Sequence, residues 1–555
     1  MTSRRRKHKK RHPKARHTSY HAVKPKRDYR KYWVWVGLLI ILAFSMGVRI
    51  RLLSVPLERD EGAYAYMGQL ILQGVPPYAE SHDVKMPGLY AAYALILALF
   101  GHTHTAIHLG LLLLNAATIV LLFMLARRLF GNLSALVTAA AFAILSLGRP
   151  VQGLFANAEH FVILPAVAGL VLLLWALDRN RIWAVFLSGA ILGIAFIIKQ
   201  PGAAFVAVGG LSILYHQLRI RPVPWTGGLS KCVLFAVGAI LPFALCCLMM
   251  FATGTFEKFW FWTFTYPTSY VSAVSLSRGL TLFKLRIVPI IKPSILLWCL
   301  AGIGLSAVVW SRKARHHALL LITFSLFSFL SICPGLYFRP HYFVLLLPAV
   351  ALLTGAAVAA IAALLPKSYL NLLLAAVTLF VLLEPVYKQR KYLFKMTPLQ
   401  VCRATYFSNP FPESLPIAEY IRERSSESDT IAVLGSEPQI YVYSRRRAAT
   451  YYTTTYPIMG SHEYAQQMQN EMIEQIETAR PKFIVLVRMR TSWITGPSSE
   501  SVIADWSKRY LSTYYKTVGV IDIIPAERTD YIWGDQALTY SPKSRGYLVV
   551  LQRLE

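Results

Sequence analysis

About eleven stretches of this chain are apolar runs of bilayer-like length, and that repetition constrains the fold more than any other feature. They cover residues 33–53, 106–126, 132–148, 160–177, 182–198, 202–216, 231–252, 293–311, 318–333, 342–365 and 368–385. A hydrocarbon core demands roughly 17–25 such residues per spanning helix, and backbone polar groups at that depth must pair within the segment. Only 15% of the residues are charged, against about 25% in an ordinary soluble domain. The sequence therefore predicts a polytopic α-helical membrane protein and excludes a large soluble core.

The net charge of +31 is unevenly spread. Residues 1–31 hold fourteen Lys and Arg against the single Asp28. Such a block lacks apolar periodicity and is expected to be disordered. Because a membrane span follows at once, it reads as a cytoplasmic anchor obeying the positive-inside rule rather than a nucleic-acid arm. With this tail inside, the fourteen-residue run 87–100 is best placed as a juxtamembrane helix. The basic loops "RR" (127–128), "DRNR" (178–181), "LRIR" (218–221), "SRKARHH" (311–317) and Lys367 then all fall on the cytoplasmic side. Residues 32–385 form the membrane domain, and its first external loop is 54–105.

From about residue 400 the composition changes. Helix-then-strand patterns such as "PIAEYIRERSSESDTIAVLG" and "AQQMQNEMIEQIETARPKFIVLV" predict an extracytoplasmic α/β domain over 386–555. It has no Gly-rich phosphate loop and only Cys402, so no disulfide framework. The aromatic stretch "FEKFWFWTFTYPTSY" reads as an interfacial helix, with a lipid-tail groove as its functional alternative.

The same topology gathers ionisable and amide groups from separate loops on the outer side: Asp60 and Glu61; His82, Asp83 and Lys85; Asn157, Glu159 and His160; Lys199 and Gln200; Arg339 and His341. Such groups at membrane depth are costly and mark function by default. Glu58, Arg59 and Glu80 read more plainly as caps and interfacial charges. A carboxylate among fixed cations suits transfer chemistry on a phosphate-bearing lipid. The carboxylate takes a proton from an incoming hydroxyl, and Lys and Arg stabilise the departing phosphate. Asp60 and Glu61 are adjacent, so one should face the reaction and the other support it.

The stretch "RDEGAYAYMGQLILQGVPPYAESHDVKMPGLY" resembles the first external loop of the C-type (GT-C) membrane glycosyltransferases. The likeness is to bacterial relatives of the protein O-mannosyltransferases and of the lipid A aminoarabinose transferase. The family's Asp-Glu pair is here Asp60-Glu61, its turn is "GVPPY", and its Lys-Pro-Pro-Leu element is "KMPGL", with Met86 and Gly88 as departures. "FANAEHF", "IIKQPGA" and "YFRPHYFVLLLPA" resemble later family signatures in the same order. The resemblance covers about residues 30–365. It implies a polyprenyl-phosphate-linked sugar as donor and a hydroxyl of an envelope glycolipid, polysaccharide or protein as acceptor, on the outer face of a bacterial plasma membrane. It further implies Asp60 as catalytic base, held ionised by Arg59 and Glu61, with Glu61 the second member of the catalytic pair. Lys85, Lys199 and Arg339 would contact the carrier phosphate, and Asn157 and Glu159 would shape the sugar or acceptor pocket beside Glu61. His82, Gln200 and His341 complete the expected substrate-binding set. Some such enzymes hold a divalent metal near these carboxylates, which the spacing here does not establish. A lipid-linked-sugar flippase is the alternative from another class. It would place its charges at the bilayer midplane and show inverted repeats, and neither is visible.

Overall fold

The computed structural model describes residues 2, 32–220, 225–271, 274–365, 367–494, 502–524 and 528–554. The basic block expected to be disordered lies almost wholly outside these residues. Each of the eleven apolar runs is helical. Seven helical stretches are long and apolar enough to cross a membrane: Trp33–Arg51, His104–Phe130, Ala158–Asp178, Thr226–Ala252, Leu276–Trp310, Pro340–Ala362 and Ser368–Lys388. Four apolar helices are shorter: Pro87–Phe100, Asn132–Leu145, Ile182–Ile198 and Ala318–Leu330. The outer faces carry exposed Leu229, Val233, Val237, Ile240 and Leu248 on one helix and Leu372, Leu373, Val377 and Phe380 on another, as a bundle solvated by lipid requires. The chain is thus a multi-pass membrane protein. Its six cysteines are all free; Cys246 and Cys402 are buried as small hydrophobes, whereas Cys299 is exposed on the bundle surface.

Local chemistry explains the element ends near the site. Glu58 caps the helix Arg59–Leu72 by accepting from the backbone N–H of Glu61, while the Glu61 side chain accepts from the N–H of Glu58. This reciprocal box satisfies two otherwise orphaned donors. Pro87 opens the helix Pro87–Phe100 at a position where no N–H is needed. The departure at Met86 leaves this geometry intact, since Met86 is a fully buried cap residue.

The expected C-terminal domain is present as a six-stranded sheet. Its strands are β1 (Thr430–Leu434), β2 (Arg447–Ala448), β3 (Phe483–Arg488), β4 (Tyr515–Ile523), β5 (Thr529–Trp533) and β6 (Tyr547–Arg553). The order is β2-β1-β3-β6-β4-β5. β1 pairs in parallel with β2 and β3, so the connection to β3 crosses over through the helix Ala465–Ala479. The remaining pairs are antiparallel.

This domain sits on the first loop. The backbone N–H of Leu57 donates to Tyr443 Oη at 2.8 Å, that of Ala448 donates to Tyr66 Oη at 2.8 Å, and Ser81 Oγ lies 3.1 Å from Thr453 Oγ1. The site-bearing end of the bundle is therefore roofed by residues almost 400 positions further along the chain.

Candidate active site

A cavity of about 390 Å3 lies between the bundle end and this roof. Asp60, His82, Lys85, Lys199, Gln200, Arg339 and His341 all line it. Seven of the ten residues given catalytic or substrate-binding roles from sequence are thus brought together from four separate segments, with Asp83 beside them.

Asp60 sits in the first turn of the helix Arg59–Leu72. Its side chain retains 27% exposure, with Oδ2 3.9 Å from His341 Nε2. Burial alone would raise its pKa. Its neighbours Lys85, His341, Arg339 and Lys199 outweigh that and hold the carboxyl at about 2. Burial lowers the Lys85 ammonium, but Asp83 and Asp60 more than compensate and leave it above the usual lysine value. Lys85 also lies 5.5 Å from the centre of the Tyr64 ring.

Lys199 follows the last turn of Ile182–Ile198, ion-paired to Glu159 and 4.2 Å from the centre of the Tyr342 ring. Gln200 Nε2 donates to the carbonyls of Val84 and Thr263 at 3.2 and 3.0 Å, stapling the Lys85 loop to the aromatic stretch. His341 Nδ1 is 3.1 Å from Gln152 Oε1. Burial pushes His82 down to about 4. Its Nε2 is 3.3 Å from Thr454 Oγ1 of the roof.

The other three named residues do not line the cavity. Glu61 is fully buried and turned into the bundle. Its Oε1 accepts from His108 Nε2 at 2.9 Å and from the backbone N–H of Ala156 at 2.5 Å. Successive residues on a helix point about 100° apart, so with Asp60 facing the cavity Glu61 cannot. Glu159 stands behind Lys199 as its counter-ion. Asn157 is buried, and neither polar side-chain atom has a partner among the described residues.

One expectation needs correction. Arg59 does not hold Asp60. It turns to the C-terminal domain, donating to the Ser436 carbonyl and pairing with Glu437 at 2.9 Å. The charges that hold Asp60 are those of Lys85, Arg339 and Lys199, with the His341 ring beside them.

The roof contributes residues that sequence reasoning did not name: Thr454, Tyr456 and Pro457. The run "YYTTTYP" at 451–457, dense in aromatic rings and hydroxyls, was the signal available for them. Tyr456 lies 4.9 Å beneath the Arg59 guanidinium.

A divalent metal fits this donor set poorly. Asp60 shares its space with three side-chain cations and a histidine, and among the described residues no group of three or more His, Cys, Asp or Glu could hold a metal ion. The arrangement matches an anion better: fixed cations around a cavity, with one ionised carboxylate among them.

Residues 84–245 match the family described as dolichyl-phosphate-mannose-protein mannosyltransferase. That segment includes Lys85, Asn157, Glu159, Lys199 and Gln200 and stops short of Asp60 and Arg339. No curated protein has a sequence that matches the chain. Solved structures share its fold over most of its length, among them the following two. ArnT from Cupriavidus metallidurans bound to undecaprenyl phosphate superposes with a TM-score of 0.58 at 17% identity, covering 93% of this chain and 98% of that one. The oligosaccharyltransferase AglB from Archaeoglobus fulgidus, in complex with an inhibitory peptide and a dolichol-phosphate, gives 0.50 at 12% identity, covering 91% and 75%. The membrane segment 84–245 thus resembles the protein mannosyltransferase family, and along nearly its whole length the chain shares the fold of ArnT and AglB.

Proposed function

We propose that the chain transfers a sugar from a polyprenyl-phosphate carrier to a hydroxyl of a cell-envelope acceptor on the outer face of the plasma membrane. The observation that carries this reading is the single cavity in which Asp60 faces Lys85, Lys199 and Arg339. Carrier phosphates bound to ArnT and AglB support it.

In the reaction the acceptor oxygen attacks the anomeric carbon, and its proton passes to the Asp60 carboxylate. The bond from the anomeric carbon to the phosphate oxygen breaks, and its electron pair stays with the phosphate. Lys85, Lys199 and Arg339 stabilise the charge that develops there. Arg339 supplies a forked donor pair and the lysines supply point charges. Glu61 positions the helix that presents Asp60, through the capping box and His108. On this topology the N-terminus is cytoplasmic and the sheet domain extracytoplasmic.

Purified full-length protein in detergent tests the assignment, with sugar transfer and polyprenyl-phosphate binding measured side by side. Asp60→Asn should bind the carrier and transfer about 10²–10⁴-fold more slowly. Near-normal transfer would remove Asp60 as base, and loss of both would make it a donor ligand. Arg339→Lys keeps the charge but not the fork, and should weaken carrier binding with protein yield unchanged. Normal carrier binding in Lys85→Ala, Lys199→Ala and Arg339→Ala alike would remove the phosphate clamp.

A further inference from the structure

A second recess, about 630 Å3, lies behind the wall of the first. It is formed by the helix Ala465–Ala479, the strand-end residues 448–452, the loop at Ala79 and Glu80, and the first part of the aromatic stretch. The two spaces are back to back. Trp262 lines the recess and the next residue, Thr263, lines the catalytic cavity. Both lie in the π-helical turn Phe261–Thr265, a geometry that recurs at functional sites. The His82 ring completes the wall, 4.7 Å from Trp262 and 5.5 Å from Tyr452.

The chemistry of the recess differs from that of the cavity. It offers aromatic rings (Trp262, Tyr451, Tyr452, Tyr464) beside fixed carboxylates and amides. Glu471 is aimed by two donors, Tyr452 Oη at 2.6 Å and Gln467 Nε2 at 2.8 Å. Gln475 Oε1 accepts from Thr450 Oγ1 at 2.9 Å and from the Tyr451 N–H at 2.8 Å. That fixes its amide plane with the NH2 group left over. Among the described lining residues the one Lys or Arg is Lys258. It is already engaged, donating to the Ala79 carbonyl at 3.1 Å and lying 4.9 Å from the Tyr451 ring centre. A phosphate-rich ligand would therefore find carboxylates where it needs cations. A lipid tail would press hydrocarbon against the Glu471 carboxylate and the Gln475 amide, a costly burial of polar groups. What fits ring faces flanked by oriented carboxylates and amides is a neutral chain of sugars, whose C–H faces stack on the aromatics and whose hydroxyls pair with the polar groups.

We propose that this recess, which shares the wall formed by Trp262, Thr263 and His82 with the cavity holding Asp60, holds the non-reacting sugars of a neutral glycan acceptor. The inference rests on the transferase reading and narrows its acceptor from any envelope hydroxyl to a neutral saccharide chain.

Binding is measured separately from turnover. Saturation-transfer NMR on the full chain in detergent, with mannotriose, cellotriose and chitotriose as probes, should show at least one of them bound. Tyr464→Ala and Gln467→Ala change residues that are not part of the buried core, and each should weaken that binding about three- to tenfold, the scale of one aromatic or hydrogen-bonded contact. Asp60→Asn should bind the probe as the parent does. Several results would overturn the proposal: no trisaccharide bound, binding indifferent to both recess substitutions, a bisphosphorylated glucosamine disaccharide bound more tightly than the neutral probes, or a Ser/Thr-rich peptide bound in their place. Failure of polyprenyl phosphate to bind would instead sink the transferase reading while leaving trisaccharide binding as observed.

Discussion

Asp60 is an acid made unusually strong by its neighbours, and this sets a pH signature. Its folded value, about 2, lies below the ordinary 3.8, so the carboxylate stays ionised above about pH 3. The stability it contributes is complete above the ordinary value and is lost as pH falls through about 2. A carboxyl that acidic is a poor base until something competes for its cations. On the proposed function, a carrier phosphate bound to Lys85, Lys199 and Arg339 would do so and raise Asp60. The acid limb of kcat, which reports the loaded enzyme, should therefore lie at higher pH than that of kcat/KM, which reports the free one. Coincident limbs would place the phosphate elsewhere. Glu61 behaves differently. Glu61→Gln retains an acceptor but loses the charge that His108 and the Ala156 N–H share. It should cost about 1–3 kcal/mol of stability, read as a lower melting temperature. Asp60, Lys85, Lys199 and Arg339 were legible in sequence because ionisable groups beside apolar runs are costly and few. The true partner of Arg59 was not, because Glu437 is 378 positions away and no periodicity reports such a contact.

At the scale of elements, two glycines fix how closely the pieces meet. A Cβ on Gly62 would come 2.6 Å from the backbone nitrogen of Gln439, where the helix Arg59–Leu72 touches the sheet domain. Gly62→Ala must push backbone from backbone, and overpacking of this kind costs about 1–3 kcal/mol. The substitution should cut transfer at least about tenfold and open the 436–457 region to limited proteolysis. Unchanged proteolysis would show that the contact tolerates a methyl group. A Cβ on Gly88 would come 2.5 Å from the Ile197 carbonyl. The departure at Gly88 is thus what lets the Lys85 loop lie against the helix that ends before Lys199. The helices themselves were readable from apolar runs, and the sheet from alternating helix and strand patterns. The packing was not, because a glycine in sequence does not say which carbonyl it faces.

The whole molecule has two ends, and the placement of the sheet domain follows from the distribution of basic loops. In intact cells an impermeant thiol reagent should label Glu474→Cys on an exposed face of that domain, and should not label Arg312→Cys in the basic loop at the other end, each judged against the parent chain. Labelling at 312 alone would reverse the sides. The roof over Asp60 also fixes an order in time. Thr454, Tyr456 and the Glu437 that anchors Arg59 are made long after the first loop. A nascent chain with every membrane helix in place still has an open, wet basin around its carboxylate. The last quarter of the polypeptide, once released from the ribosome, closes it. On the proposed function, a product truncated before Glu437 would carry the membrane helices and Asp60 without the roof that closes over them.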